Sequence, residues 1–322
     1  MDVKIGTFNL NNLFSRFNFR AQIDRLPEEE REVSVTYTFA EADSYRIRAH
    51  SGRLVNPKPT LETALVADRV RQMDLDVLAV QEVEDIETLV RFNADELGGM
   101  YRHIVLHEGN DPRLIDVGVL SKLPLGAITS WQHAVHPDEP GSRVFSRDLL
   151  EVQVLNPAGT RVLFTMFNSH FKSQYVPWNS PDPQAERLRA GRRRQRQAIT
   201  TARIVAARTR PRSRYVITGD FNDVPDSEWL SPLTFESGLG VVDGLGDPSE
   251  TRPPKADNPM PASRAWTHRF KPSGEPAQYE LFDQILLSPA LAERQTEAWI
   301  DRRQNHGGDG SDHDPAWVVV RL

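Results

Sequence analysis

Apolar positions along this chain follow two periods. Residues 3–8, 77–80, 103–106, 117–121, 149–155, 161–167, 216–218 and 281–287 are short runs rich in Val, Ile, Leu and Phe, the length and composition of strands. A further strand is expected around Ile128, and another over 316–321. Residues 60–73 change to a helical period. Leu61, Leu65, Val66, Val70 and Met73 form one stripe behind Thr60, which reads as an N-cap. A second helix is expected over 86–97, stopping at Gly98 and Gly99. The Asn-Pro-Ala-Gly turn at 156–159 predicts that 149–155 and 161–167 pair as a hairpin. The run 77–80 is apolar at every position, as in a strand covered on both faces, so helices are expected to lie against a sheet.

Several of these strands end in residues that carry chemistry. In 216–225 the strand runs into Gly219, after which Asp220, Asn222 and Asp223 arrive before Pro225 forbids continuation. Side chains alternate along a strand, so Asp220 and Asn222 face one way and can converge on a phosphate with a metal ion; an ordinary strand-to-turn exit fits the same residues. Asn9 and Asn11 share a face at the end of the first strand. Glu82 follows a buried strand, as a site carboxylate or as the acidic start of the next helix. Asn168 and His170 alternate at the end of another strand, where a histidine is either structural or catalytic. Asp283 is an acid inside an apolar run and therefore needs a hydrogen-bond partner. Residues 307–310 form a glycine loop leading into Asp312 and His313, a candidate ligand beside a candidate base.

Two segments stand apart from this pattern. Residues from about 15 to 59 show weak periodicity and many charges, and read as an insertion. From Arg187 to Arg214 the chain carries eleven arginines with no acid between them. A helical wheel puts Arg189, Arg192, Arg193, Arg196 and Arg203 on one side, with Leu188, Ala202, Val205 and Ala206 opposite. The arginine side is either a solvated face or a cationic surface. The balance of 39 basic against 45 acidic residues gives a formal net charge of -6, so a polyanion would have to be met by such a local surface. Cysteine is absent, which excludes disulfides, thiolate zinc sites and cysteine nucleophiles and leaves oxygen and imidazole ligands. The length of 322 residues allows one large domain or two small ones. No apolar run reaches the roughly eighteen residues of a membrane span, and no basic-then-apolar leader opens the sequence, so a cytoplasmic protein is expected.

Taken in order, Phe-Asn-x-Asn at 8–11, Gln81-Glu82, Asn168-Ser169-His170, Gly219-Asp220-Phe221-Asn222, Phe282-Asp283-Gln284-Ile285 and Ser311-Asp312-His313-x-Pro315 resemble the endonuclease/exonuclease/phosphatase superfamily. The resemblance implies an α/β fold: a four-layered α/β sandwich of two stacked mixed β-sheets flanked by helices, one catalytic domain over 1–322 with an insertion at about 15–59. It implies a divalent-metal phosphoesterase using Mg²⁺, with Mn²⁺ or Ca²⁺ as alternatives. Glu82 would be the main metal ligand, with Asn9 and Asp312 close by. His313, oriented by Asp283, would activate water or touch the phosphate; Asp220 would orient the nucleophile or protonate the leaving oxygen; Asn222 and His170 would hold phosphate oxygens. Asn11 stands where several relatives have aspartate, and Gln284 where inositol-phosphate phosphatases have arginine. The stretch 170–173, the arginine-rich helix with Gln195 and Gln197, and the ending 311–315 look like the bacterial nuclease-like branch. The expected activity is hydrolysis of DNA or RNA phosphodiester bonds, with Asn11, Lys172, Arg189, Arg192, Arg193 and Arg196 toward the nucleic acid. The alternative is a phosphatase or phosphodiesterase for a small-molecule or lipid ester. No protein partner is expected, and the chain is read as a monomer.

Overall fold

The computed structural model describes residues 1–15, 58–111, 113–177, 179–255, 261–305 and 308–322. The insertion read at 15–59 therefore lies outside the described residues except for Ser15, Lys58 and Pro59. Strand β1 (Asp2–Leu13) opens the chain, followed by α1 (Thr60–Met73), β2 (Val77–Val83) and α2 (Ile86–Arg91), which runs on as a π-helical turn over Phe92–Glu96. Next come β3 (His103–His107), β4 (Asp116–Ser121), β5 (Leu125–Ser130), a small hairpin of β6 (Val135–His136) and β7 (Glu139–Arg143), then β8 (Leu149–Leu155) and β9 (Val162–His170). The long helix α3 (Pro183–Arg208) leads to β10 (Tyr215–Asp220). After it stand β11 (Val242–Asp243), β12 (Ser249–Glu250), β13 (His268–Phe270), β14 (Gln278–Glu280), β15 (Asp283–Leu287), β16 (Gln295–Ile300) and β17 (Ala316–Arg321).

These strands form two large mixed sheets, ordered β12-β16-β17-β1-β2-β4-β3 and β11-β15-β10-β9-β8-β5. At the middle of each, a parallel pair adjoins an antiparallel one: β1 runs parallel to β2 and antiparallel to β17, and β10 runs parallel to β9 and antiparallel to β15. Parallel neighbours need a crossover, and α1 and α3 supply them. The inner faces meet in one core containing Ile5, Val77, Val119, Val152, Met166, Val216, Ile285 and Val318. On the outer face of the first sheet, Val66, Val70 and Met73 of α1 pack with Leu78, Val80 and Leu89; on that of the second, Ala198, Ala202 and Val205 of α3 pack with Phe167, Ile217 and Phe221. Each fully buried aliphatic or aromatic side chain contributes roughly 1.5–3 kcal/mol, so three cores hold four layers. Inside the sandwich, Asn168 ties the sheets together, donating to the Val80 and Gly118 carbonyls while accepting from Gln81.

Local chemistry departs from the sequence reading at two helices. Thr60 is the first helical residue of α1 and not its cap; Pro59 is the capping position, and Leu61 lies exposed at 72 % instead of joining the apolar stripe. The proline fixes an extended φ just before the helix, so the boundary falls one residue earlier than a hydroxyl cap would put it. Helix α3 starts at Pro183 behind Asp182, whose carboxylate accepts the Ala185 N–H, and ends at Arg208, so Arg210, Arg212 and Arg214 lie between the helix and the strand that begins at Tyr215. Leu188 and Ala206 are exposed, and the buried side of the helix carries Ala190, Gly191, Gln197, Ala198 and Arg194. Arg194 is tolerated there because its Nε lies 2.7 Å from Asp223 Oδ2 and its Nη1 donates to the Lys172 carbonyl at 3.1 Å.

Candidate active site

Strand register does much of the assembly. The parallel pairing of β9 with β10 sets His170 opposite Asp220, and the antiparallel pairing of β10 with β15 sets Asp220 opposite Asp283. Residues opposite one another point to the same face, so an imidazole and two carboxylates share one rung at the end of the second sheet. That close pairing requires Gly219, whose φ is +131° and where an added Cβ would come within 1.9 Å of the Ser169 carbonyl oxygen. We expect Gly219→Ala to cost at least the roughly 1–3 kcal/mol typical of overpacking and to lower the denaturant midpoint measurably; an unchanged midpoint would mean that β9 and β10 do not need this approach.

His313 reaches the rung from the other sheet, just ahead of β17. Its Nδ1 lies 2.6 Å from Asp283 Oδ2, which meets the need of that buried acid for a partner, and its Nε2 faces Asp220 Oδ2 at 3.8 Å. Ser311 positions the loop by donating to the Asn9 carbonyl and accepting the His313 N–H. Asp220 Oδ2 also accepts from Asn9 Nδ2 at 2.9 Å and lies 3.4 Å from His170 Nε2, while Oδ1 accepts the Asn222 N–H at 2.8 Å. Burial pushes the Asp220 carboxyl up to about 7, against the pull of the neighbouring His313. Burial opposes charge on His313 too, but Asp283 and Asp220 outweigh it and hold the imidazolium well above its ordinary range. Burial together with the Arg147 and His313 charges keeps His170 neutral.

Glu82 stands a short distance along the rim. The pairing of β2 with β4 breaks register between Gln81 and Val83, and Glu82 sits on this bulge with φ +60°. A non-glycine residue in that region is strained and persists only where its surroundings fix it. One carboxylate oxygen accepts the Asn12 N–H at 3.1 Å, and the residue is only partly buried. Asn9 pairs with Gln81 across β1 and β2, and its Oδ1 accepts the Asn11 N–H; Asn11 and Asn12 both have positive φ. Asp312 is exposed at the same rim. Two sets of groups bring ligand atoms within 4.8 Å of one another among the described residues, Asp220 with Asp283 and His313, and His268 with Asp312 and His313; Glu82 belongs to neither. Asn222, with φ +53°, donates through Nδ2 to the Phe171 carbonyl.

Three residues that sequence reasoning passed over also stand here. Lys58 is buried, donates to the Asn11 carbonyl at 2.7 Å and feels the Asp312 and Glu82 charges, with burial lowering its pKa. Arg147 is buried, bonded to the Phe171 carbonyl and 3.1 Å from Asp111, and its charge reaches Glu82 and Asp220. His268 opposes His313 across an isolated bridge, with ring centroids 5.1 Å apart. Lys58 borders the stretch read as an insertion, Arg147 lies between β7 and β8, and His268 opens the three-residue β13, so periodicity marks none of them. Lys172 is half-buried, and burial with the Arg147, Arg113, Arg193 and Arg194 charges lowers its pKa. Of the expected arginines, Arg189 pairs with Glu186 and Arg196 with Glu139; Arg192 is exposed and Arg193 half-buried, and neither has an ion-pair partner among the described residues.

Residues 6–313 match the model of the Endonuclease/Exonuclease/phosphatase family, and the chain belongs to that family, whose members are hydrolases acting on phosphoester bonds. Solved structures share the fold. An AP endonuclease from Archaeoglobus fulgidus aligns at TM-score 0.57 and 17 % identity, covering 99 % of this chain and 100 % of that one. Truncated Caenorhabditis elegans TDP2 aligns at 0.54 and 16 %, covering 100 % and 98 %, and the 3' phosphatase NExo from Neisseria, bound to a product DNA hairpin, at 0.57 and 16 %, covering 99 % and 100 %. No curated protein matches the chain. Among the described residues no helix is long and apolar enough to cross a membrane.

Proposed function

We propose that this chain is a divalent-metal-dependent phosphodiesterase that hydrolyses nucleic-acid phosphodiester bonds, with residues 1–322 forming one catalytic domain. The observation that carries the reading is the rung on which Asp220, flanked by Asn9 and His170, faces a His313 held by Asp283. Glu82, Asp312 and the Asn9 amide oxygen are hard oxygen donors in a region without thiols, and Glu82 keeps a carboxylate oxygen with no protein donor among the described residues. That donor set suits Mg²⁺ or Mn²⁺, which would supply charge neutralisation at the phosphate.

The chain's own groups manage the protons. Asp283 fixes the His313 ring with Nε2 toward Asp220. With Asp220 pushed up to about 7, the two side chains can hold one proton between them, on the imidazole or on the carboxyl. One member takes a proton from the attacking water and the other delivers one to the leaving oxygen, the opposite demands of an in-line displacement. To neutral His170 and to the Asn222 amide, whose Nδ2 also donates to the Phe171 carbonyl, we assign the phosphate oxygens, since neither adds a charge that would compete with His313.

Polynucleotide is favoured over a small ester because Arg147, Arg113, Arg193 and Arg194 lie close enough to Lys172 that their charges add to burial in depressing its pKa, a local concentration of cations on a chain of net charge -6. The test is a panel of single-stranded DNA, double-stranded DNA, RNA and bis-nitrophenyl phosphate with Mg²⁺. We expect kcat/KM for at least one polymer to exceed that for the small ester by on the order of 10² or more, and to fall steeply with salt. Efficient hydrolysis of the small ester with no attack on any polymer would replace this reading by a small-phosphoester phosphodiesterase.

A further inference from the structure

The β6–β7 hairpin and the first half of α3 enclose a cavity of about 380 Å³ that the catalytic rung does not use. Arg143, Arg193, Arg196, His136, Asn110 and Glu139 line it. Three guanidinium groups face one carboxylate. Glu139 answers Arg196 at 3.0 Å, Arg143 bonds the neutral Asn110 amide oxygen, and among the described residues neither Arg143 nor Arg193 has an ion-pair partner. Two positive charges are thus uncompensated in a partly enclosed space. His136 adds a second, independent observation. It is 4 % exposed, its Nδ1 accepts the Asp138 N–H at 3.2 Å, and its buried Nε2 has no partner among the described residues. An imidazole that accepts at Nδ1 carries its proton on Nε2, so a buried N–H donor in this wall awaits an acceptor.

The cavity shares a wall with the reaction centre. Phe145 and Ser146 face the cavity, and the next residue, Arg147, turns to the Phe171 carbonyl and Asp111 with its charge reaching Glu82 and Asp220. Lys172, two residues beyond His170, feels both Arg147 and Arg193, which places it between the two sites electrostatically. A ligand with oxygen acceptors and negative charge, present in series with a reacting phosphate, satisfies Arg143, Arg193 and the His136 Nε2–H, while Glu139 stays paired with Arg196.

We propose that this cavity is a second phosphate subsite, in which Arg143, Arg193 and the His136 Nε2–H hold a phosphodiester group flanking the bond cut at the Glu82–Asp220–His313 centre. The proposal rests on the nucleic-acid reading above. It narrows the arginines that matter: Arg193 with Arg143 from the hairpin, and not Arg189 or Arg192, which do not line the cavity.

The test is equilibrium binding of a fluorescent single-stranded oligonucleotide to the chelator-treated chain, as a function of salt, for wild type, Arg143→Gln/Arg193→Gln and Arg189→Gln/Arg192→Gln, with melting curves as the control for folding. We expect the cavity pair to weaken binding by about tenfold or more and to reduce the magnitude of the log Kd against log salt slope by about 0.7, the share of one single-strand phosphate. The Arg189/Arg192 pair is expected to have the smaller effect. Unchanged affinity and slope in the cavity pair, or weaker binding with an unchanged slope, overturns the subsite while leaving the nucleic-acid reading in place. Wild-type protein that binds no oligonucleotide overturns the nucleic-acid reading itself, and the subsite with it.

Discussion

Replacing Glu82 with glutamine is expected to cut Mg²⁺- or Mn²⁺-dependent phosphodiester cleavage by on the order of 10²–10³ or more, with no change in the melting curve. A bound divalent ion contributes several kcal/mol of charge stabilisation, and each 1.36 kcal/mol is about a tenfold change in rate. Glu82 is the rim carboxylate that stands on the β2 bulge with a strained φ of +60°, and its contact to the Asn12 N–H can be kept by the glutamine oxygen. The substitution therefore removes the charge and retains the shape. Rate and folding are read together, by turnover under saturating Mg²⁺ and by thermal unfolding. Activity within a few fold of wild type removes Glu82 from the site, whereas a lowered melting temperature assigns it to structure.

His313→Ala is expected to lose about 10²–10⁴ in kcat, the range for a lost general acid or base. Its ring is the meeting point of Asp283 at 2.6 Å and Asp220 at 3.8 Å, so its loss removes the proton carrier and leaves the two acids facing each other across a void. Asp283→Asn separates orientation from charge. It preserves an acceptor for His313 Nδ1 while removing one of the two carboxylates that hold the imidazolium, so kcat should fall by less than in His313→Ala and the pH dependence of kcat should shift. A loss below tenfold in His313→Ala would assign the proton transfers to another group.

Much of the framework was legible because strands advertise themselves. The runs ending at Asn9, Gln81, His170 and Asp220 are strands in the sheets, and the order of short motifs from Phe8 to Pro315 pointed to the family to which the chain belongs. What stayed illegible depends on pairing across the fold. The arginines of α3 read as a run without acids, yet Asp223, Glu139 and Glu151 answer Arg194, Arg196 and Arg208 from other elements, and no local pattern announces that. The helical wheel misplaced Leu188 and Ala206 because α3 buries small residues and one paired arginine instead of a conventional apolar stripe. His268 comes to His313 through a single backbone bridge, and Lys58 comes to Asn11 through one side-chain bond. Both are consequences of tertiary approach and leave no periodic trace in sequence. The conversion of the second helix to a π turn at Phe92–Glu96 is likewise invisible to an amphipathic reading, which predicts one continuous helix over 86–97.

The most direct measurement is phosphodiester hydrolysis by the chelator-stripped chain as Mg²⁺ is added back, on a polynucleotide and on bis-nitrophenyl phosphate in parallel. On the metal-dependent reading, turnover is absent before addition, recovers saturably on both substrates with Mg²⁺, and does not recover in Glu82→Gln. Full activity in the stripped protein, or equal recovery in the Glu82 variant, would contradict it.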